Sequence, residues 1–269
     1  MSNDCLEKLL ASKKYRDVCP DTVRRVWDEC SAKHKKPKDA DKAAREALHG
    51  ITGAFLTPAE ARECAWAMQQ WHAGGRTDAQ LENILNKHAS TRERLPLADM
   101  DALYARIFGI TGRPARVLDL ACGINPIYLA ARGITVTGAD ISGEAVRLIN
   151  AFGETYGQPC GAVCADLLCG VPSERYDLAL LFKVLPLLER QRKGAAGEVL
   201  ARVDAAFIAV SFPTRTLGGR NVGMAGHYSE WMEAHLPAGL AVAGRFETPN
   251  ELFYILERGN SHDPTGDAR

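Results

Sequence analysis

What this chain lacks narrows its class before any motif is considered. It has no apolar run approaching the roughly 20 residues that a helix needs to cross a bilayer. Its opening residues, MSNDCLEKLL, contain acids and no apolar signal core, so a cytoplasmic protein without a secretion signal is expected. The eight cysteines include no C-x-x-C pair, and no histidines follow them at zinc-site spacing. No metal is therefore expected, and reduced thiols filling small core sites are. Net charge is missing too: 33 Lys and Arg balance 33 Asp and Glu, so the total selects no class of partner. No internal repeat is present.

What is there divides near residue 110. Before that point the apolar rhythm is helical: Val23, Val26, Trp27 and Cys30 repeat at i, i+3, i+4 and i+7, as do Ala40, Ala43, Ala44, Ala47, Leu48 and Ile51. Thr57-Pro58-Ala59-Glu60 is a capping threonine, a first-turn proline and a glutamate three residues on. The helix it opens is expected to stop at Gly74-Gly75. Thr77–Gln80 has the same form, and Ser90–Glu93 the same spacing. Residues 1–108 read as a helical N-terminal module. A basic run, Lys33, Lys35, Lys36, Lys38, Lys42 and Arg45, diluted by Asp39 and Asp41, suits a solvated helix face or contact with an anionic partner.

After Gly112, short apolar strands alternate with helices. Strands are expected at 116–121, 135–140, 162–167, 178–182 and 206–212, and helices at 126–132, 143–152 and 198–203. Leu240–Phe246 and Leu252–Glu257, joined by Thr-Pro-Asn, suit an antiparallel hairpin. This alternation predicts an α/β, Rossmann-like domain over 109–258, with a polar, disordered tail at 259–269.

The sharpest local feature is Val117-Leu118-Asp119-Leu120-Ala121-Cys122-Gly123, an apolar strand running into a turn of small residues and then a helix. Such sheets bind ligands beyond the carboxyl ends of their strands. The turn lacks the G-x-G-x-x-G dinucleotide fingerprint, which points to a ligand without a pyrophosphate. Asp140, ending the second strand, is placed to accept from two ribose hydroxyls. Asp166, read as ending the third, is placed to accept from an adenine amino group, with Leu167 against the ring. Small or acidic residues at three successive strand ends fit an adenosine pocket.

His88-Ala89-Ser90-Thr91-Arg92-Glu93-Arg94-Leu95, the LDLACGINP turn at 118–126, Lys183-Val184-Leu185-Pro186 and Ser211-Phe212-Pro213-Thr214-Arg215 occur in that order. Together they resemble the aminoglycoside-resistance 16S rRNA methyltransferases of the Arm/Rmt/Sgm type, over nearly the whole chain. The resemblance implies a class I S-adenosylmethionine-dependent methyltransferase that modifies N7 of guanine 1405 in the 30S subunit. The N-terminal module would bind rRNA. Phe55, His88, Ala89, Ser90 and Arg94 would reach over the cofactor, the Arg94 guanidinium suiting its carboxylate. Ala121, Asp140, Asp166, Leu167 and Gln191 would complete that site. Cys122 stands where relatives often have glycine. Lys183 would position the guanine, and Lys33, Lys35, Lys36, Lys38, Arg215 and Arg220 would contact RNA. A monomer acting on 16S rRNA within the 30S subunit is expected. Guanine N7 has a lone pair and no proton, so the transfer needs positioning and no general base. A methyltransferase of another decoding-site base or of a small molecule, and a non-catalytic RNA-binding module, are the alternatives.

Overall fold

The computed structural model describes residues 2–52, 56–214 and 224–259. Helices come first: α1 (Ser2–Leu10), α2 (Pro20–Lys33), α3 (Pro37–Thr52), α4 (Pro58–Ala73), α5 (Asp78–Leu85), α6 (Ala89–Arg92) and α7 (Leu97–Thr111). The α/β part follows as β1 (Arg116–Leu120), α8 (Asn125–Ala131), β2 (Thr135–Asp140), α9 (Gly143–Tyr156), β3 (Cys160–Cys164) and β4 (Tyr176–Phe182). Then come α10 (Leu185–Gln191), α11 (Ala195–Arg202), β5 (Ala205–Pro213), α12 (Met224–His235), β6 (Leu240–Glu247) and β7 (Glu251–Arg258). No helix among the described residues is long and apolar enough to cross a membrane.

The capping chemistry works largely as the sequence predicts. Thr57 with Glu60, and Thr77 with Gln80, form complete capping boxes at α4 and α5, and Gly74 ends α4. At α6 the expectation fails. The cap is the His88 imidazole, which accepts from the Ser90 N–H, and Ser90 lies inside the turn.

The seven strands form one sheet in the order β3-β2-β1-β4-β5-β7-β6. Neighbours from β3 to β5 pair in parallel, and β7 runs antiparallel to both β5 and β6. The chain winds outward from β1 through β2 to β3, then crosses to β4 on the other side. That reversal leaves a cleft beyond the carboxyl ends of β1 and β4. β3 departs from its expected range of 162–167. β3 stops at Cys164, so Asp166 stands in the loop beyond it, where its backbone carbonyl accepts from Cys169 and Gly170. The segment after Lys183 turns at once into α10, which the sequence pattern did not reveal.

Burial separates three apolar groupings. One sheet face packs on α8, α9 and also on α4, α5 and α7, through Met68, Trp71, Leu85, Tyr104, Ile127 and Phe152. The other packs on α10, α11 and α12, through Leu185, Leu200 and Met232. Helices α1 to α3 have a core of their own, built on Leu9, Tyr15, Val23, Val26, Trp27, Ala44 and Leu48. Helices α4, α5 and α7 therefore share a core with the sheet, and α7 runs across residue 108 without a break. Of the cysteines, Cys19, Cys64 and Cys122 are buried while Cys164 and Cys169 are exposed, so core filling accounts for only part of the set.

Candidate cofactor and active site

The β1 turn is built on left-handed backbone. Ala121 has φ 55° and Gly123 φ 54°, a conformation that costs a non-glycine residue about 1–2 kcal/mol. A Cβ on Gly123 would stand 2.7 Å from His88 Cε1 and 3.0 Å from Ser90 Oγ, so glycine alone lets α6 close on the turn. Cys122 is buried with its sulfur against Gly138, where a Cβ would come within 2.8 Å. Its thiol thus packs into the core.

Asp140 ends β2 and is buried. Its two oxygens are each met by a backbone donor, Oδ2 by the Gly123 N–H and Oδ1 by the Ser142 N–H, both at 2.8 Å. Burial raises its pKa above the ordinary carboxylate value, with these N–H groups opposing. The carboxylate is thus held in place by backbone at the end of β2.

Asp166 and Leu167 are both buried beyond β3. The Leu168 N–H donates to Asp166 Oδ1 at 2.8 Å, and Arg25 of α2 donates to Oδ2 at 3.0 Å. Gln191, at the end of α10, accepts from the same guanidinium at 2.9 Å. Sequence reasoning missed Arg25, because nothing in the α2 pattern separates it from a solvated helix charge.

His88 and Ser90 lie at the other end of the cleft. His88 Nδ1 accepts from the Ser90 N–H at 3.3 Å and faces Ser90 Oγ at 2.7 Å. A backbone N–H can only donate, which assigns the imidazole proton to Nε2. Burial lowers the His88 pKa to about 4, so the ring is neutral at physiological pH. Ala89 is half-buried in the same turn.

Arg94 is buried, and its fork is closed on Glu251 at the head of β7: Nε to Oε1 at 2.8 Å and Nη2 to Oε2 at 3.0 Å. Ser211 also donates to Glu251, at 2.5 Å, and Lys183 Nζ lies 4.0 Å from it. Burial acts to raise the Glu251 carboxyl, but Arg94, Lys183 and Ser211 outweigh it and hold the group below its ordinary value. Lys183 itself has φ 56°, directly after β4, and its ammonium is paired with Glu93. The structure thus gathers His88, Ser90, Arg94, Ala121, Asp140, Asp166, Lys183 and Gln191 along the carboxyl ends of β1 to β4. It adds Glu93, Ser211, Glu251 and Arg25, which the sequence did not single out.

A second missed group lies beneath the turn. Period-two alternation puts Asp119 on the same face of β1 as Val117, where Asn125 donates to it at 2.6 Å and Tyr104 faces Asn125 at 2.7 Å. Burial pushes the Asp119 carboxyl up to about 7. Lys33, Lys35, Lys36 and Lys38 are all exposed around the α2–α3 connection, and no ion pair among the described residues holds them. Phe55, Arg215, Arg220 and the tail beyond Gly259 lie outside the described residues.

Known proteins resemble this chain along nearly its whole length. Residues 11–255 match the family described as ribosomal RNA methyltransferase (FmrO). A Serratia marcescens protein named 16S rRNA (guanine(1405)-N(7))-methyltransferase is 44% identical over 257 residues, covering 95% of this chain and 98% of the relative. The crystal structure of the 16S rRNA methyltransferase RmtF in complex with S-adenosyl-L-homocysteine superposes with a TM-score of 0.86 at 46% identity, covering 96% and 98% of the two chains. That of the 16S rRNA methylase RmtB gives 0.84 at 41%, covering 96% and 99%. The chain belongs to the FmrO family of ribosomal RNA methyltransferases.

Proposed function

We infer that this protein transfers a methyl group from S-adenosylmethionine to N7 of guanine 1405 in 16S rRNA, the modification that confers aminoglycoside resistance. The observation that carries this reading is the coincidence of two facts. The relative named for that reaction matches along almost its entire length. The strand ends of this chain also carry a buried carboxylate, Asp140, held by backbone N–H groups beside the β1 turn, which supports its role toward a ribose.

S-adenosylmethionine, when bound, would supply a methyl group on a sulfonium, whose sulfur keeps the carbon–sulfur bonding pair as the N7 lone pair forms the new bond. The residues described above then have positional roles. Asp140 binds the ribose, Asp166 and Gln191 border the adenine, and Leu167 packs on its face. Ala121 and Gly123 bring the backbone close, while His88, Ala89 and Ser90 cover the turn from α6. Arg94 faces the carboxylate end, sharing its guanidinium with Glu251, and Lys183 meets the guanine at the cleft mouth. A neutral His88 and a buried Asp119 are not needed as bases, since N7 carries no proton.

The helical part, with Lys33, Lys35, Lys36 and Lys38 exposed on it, supplies phosphate contacts. The substrate is 16S rRNA assembled in the 30S subunit, where shape takes the place of sequence readout, and the enzyme acts as a monomer in the cytoplasm. The test is methyl transfer from labelled S-adenosylmethionine to 30S subunits, free 16S rRNA and buffer alone, with the modified base mapped. Label at N7 of guanine 1405 in 30S subunits is the expected result. Label on another base, or none on rRNA while a small-molecule extract is methylated, would overturn it.

A further inference from the structure

Arg25 belongs to the α1–α3 unit, yet its side chain leaves that unit's core and enters the cleft between the β3 loop and α10. Nε donates to Asp166 Oδ2 at 3.0 Å, and Nη2 stands 2.9 Å from the same oxygen while donating to Gln191 Oε1 at 2.9 Å. Nη1 is steadied from its own helix by Glu29 at 3.1 Å. The Arg25 side chain is 14% exposed and that of Asp166 4%, so the pair is shielded from water, and removing one partner leaves the other charge stranded.

A carboxylate offers about four acceptor positions. On Asp166 the Arg25 Nε donates to Oδ2, with Nη2 2.9 Å from the same oxygen, and the Leu168 N–H takes one position on Oδ1. One position on Oδ1 is left. The rotation of the carboxylate, and hence the direction of that last lone pair, is set by a residue 141 positions away in the sequence. Gln191 is oriented by the same fork, with its amide nitrogen turned to the Leu187 carbonyl at 3.4 Å.

We propose that Arg25 is a positioning residue for the cofactor's adenine, holding Asp166 so that its remaining Oδ1 lone pair accepts the adenine amino group, and thereby coupling cofactor binding to docking of the α1–α3 unit. The proposal rests on the reading that places adenine beside Asp166 and Leu167. Coupling of this kind is reciprocal: whatever the docked unit adds to cofactor affinity, the cofactor adds to docking. Other contacts hold the unit without Arg25. The Cys19 N–H donates to the Ile141 carbonyl at 2.8 Å, the Gly143 N–H donates to the Asp17 carbonyl at 2.7 Å, and Arg147 pairs with Asp17 at 2.7 Å. These contacts surround the residues next to Asp140, so the unit touches both the ribose and the adenine ends of the cleft. A lysine cannot replace Arg25, because one ammonium does not span Asp166 and Gln191 in the plane of a guanidinium.

The first test uses the unaltered protein. Amide exchange across Pro20–Lys33 is measured with and without saturating S-adenosylhomocysteine. Severalfold slower exchange in α2 is expected, and unchanged exchange there overturns the coupling. The second compares Arg25→Ala and Arg25→Lys by calorimetry and by kinetics on saturating 30S subunits. Both should raise the Kd and the KM for the cofactor about tenfold or more with kcat nearly unchanged. Unaltered Kd in a folded Arg25→Ala protein overturns the proposal. Asp166→Ala separates the two levels. If it also binds normally, the adenine assignment itself fails. If it loses binding while Arg25→Ala does not, only the role of Arg25 fails.

Discussion

A carboxylate buried as deeply as that of Asp140 is costly unless donors meet it, and two backbone N–H groups do so here. Asp140→Asn conserves size but turns one acceptor oxygen into an amide nitrogen facing an N–H. Calorimetry should show S-adenosylhomocysteine binding weakened about hundredfold with the fold intact; near-normal affinity would remove Asp140 from the ribose site. His88 makes a prediction of a different kind. Its pKa falls on folding from 6.5 to about 4 because of burial. A histidine kept neutral in this way contributes stability that is present above its unfolded pKa and lost as pH falls through that window. Asp119, pushed up from 3.8 to about 7 by burial, acts in the opposite sense, since its charge becomes costly as pH rises. The stability difference between the unaltered protein and His88→Asn should therefore shrink by up to about 3 kcal/mol between pH 7 and pH 4. Urea midpoints across that range measure it, and a constant difference would mean that His88 is not held neutral.

Elements meet at Glu251. The head of β7, the α6–α7 connection and the end of β5 are tied through Arg94, Glu251 and Ser211, all buried. Removing one partner strands the other charge in the interior. Glu251→Ala should lose about 3–5 kcal/mol in urea unfolding, and a loss below about 1 kcal/mol would show that water reaches Arg94. Most helices, four of the five parallel strands and the closing hairpin were legible in sequence because each rests on local signals: capping boxes, apolar runs and a three-residue turn; α10 and α12 were not. Glu251 was not, since a single acid at the head of the apolar run Leu252–Glu257 looks like a strand-end residue until its partner, 157 positions away, is placed beside it. The His88 cap was misread for a related reason. Ser90 and Glu93 have capping-box spacing, but the imidazole reaches the same N–H first.

At the scale of the molecule, the α1–α3 unit with its own core extends the site toward solvent and carries the basic connection. Lys33, Lys35, Lys36 and Lys38 are exposed there, free to meet phosphates. Changing all four to alanine should weaken 30S binding without altering cofactor affinity. The slope of log K against log salt should flatten by about 0.7–0.9 for each lysine that makes a phosphate contact. Filter binding across a salt series reads this directly, and an unchanged slope would place the RNA surface elsewhere.

By itself, the sequence determined the secondary structure of most of the chain, the α/β class, the β1 turn and the acid that ends β2. These depend on residues within a few positions of one another, and backbone sterics and side-chain periodicity act at that range. Only the tertiary structure decided that α4, α5 and α7 belong to the core of the sheet while α1 to α3 have their own. It also decided that Arg94 is shared with Glu251 and that Arg25 reaches Asp166 and Gln191. Such pairings depend on which charges are taken out of water together, and burial is a property of the assembled chain.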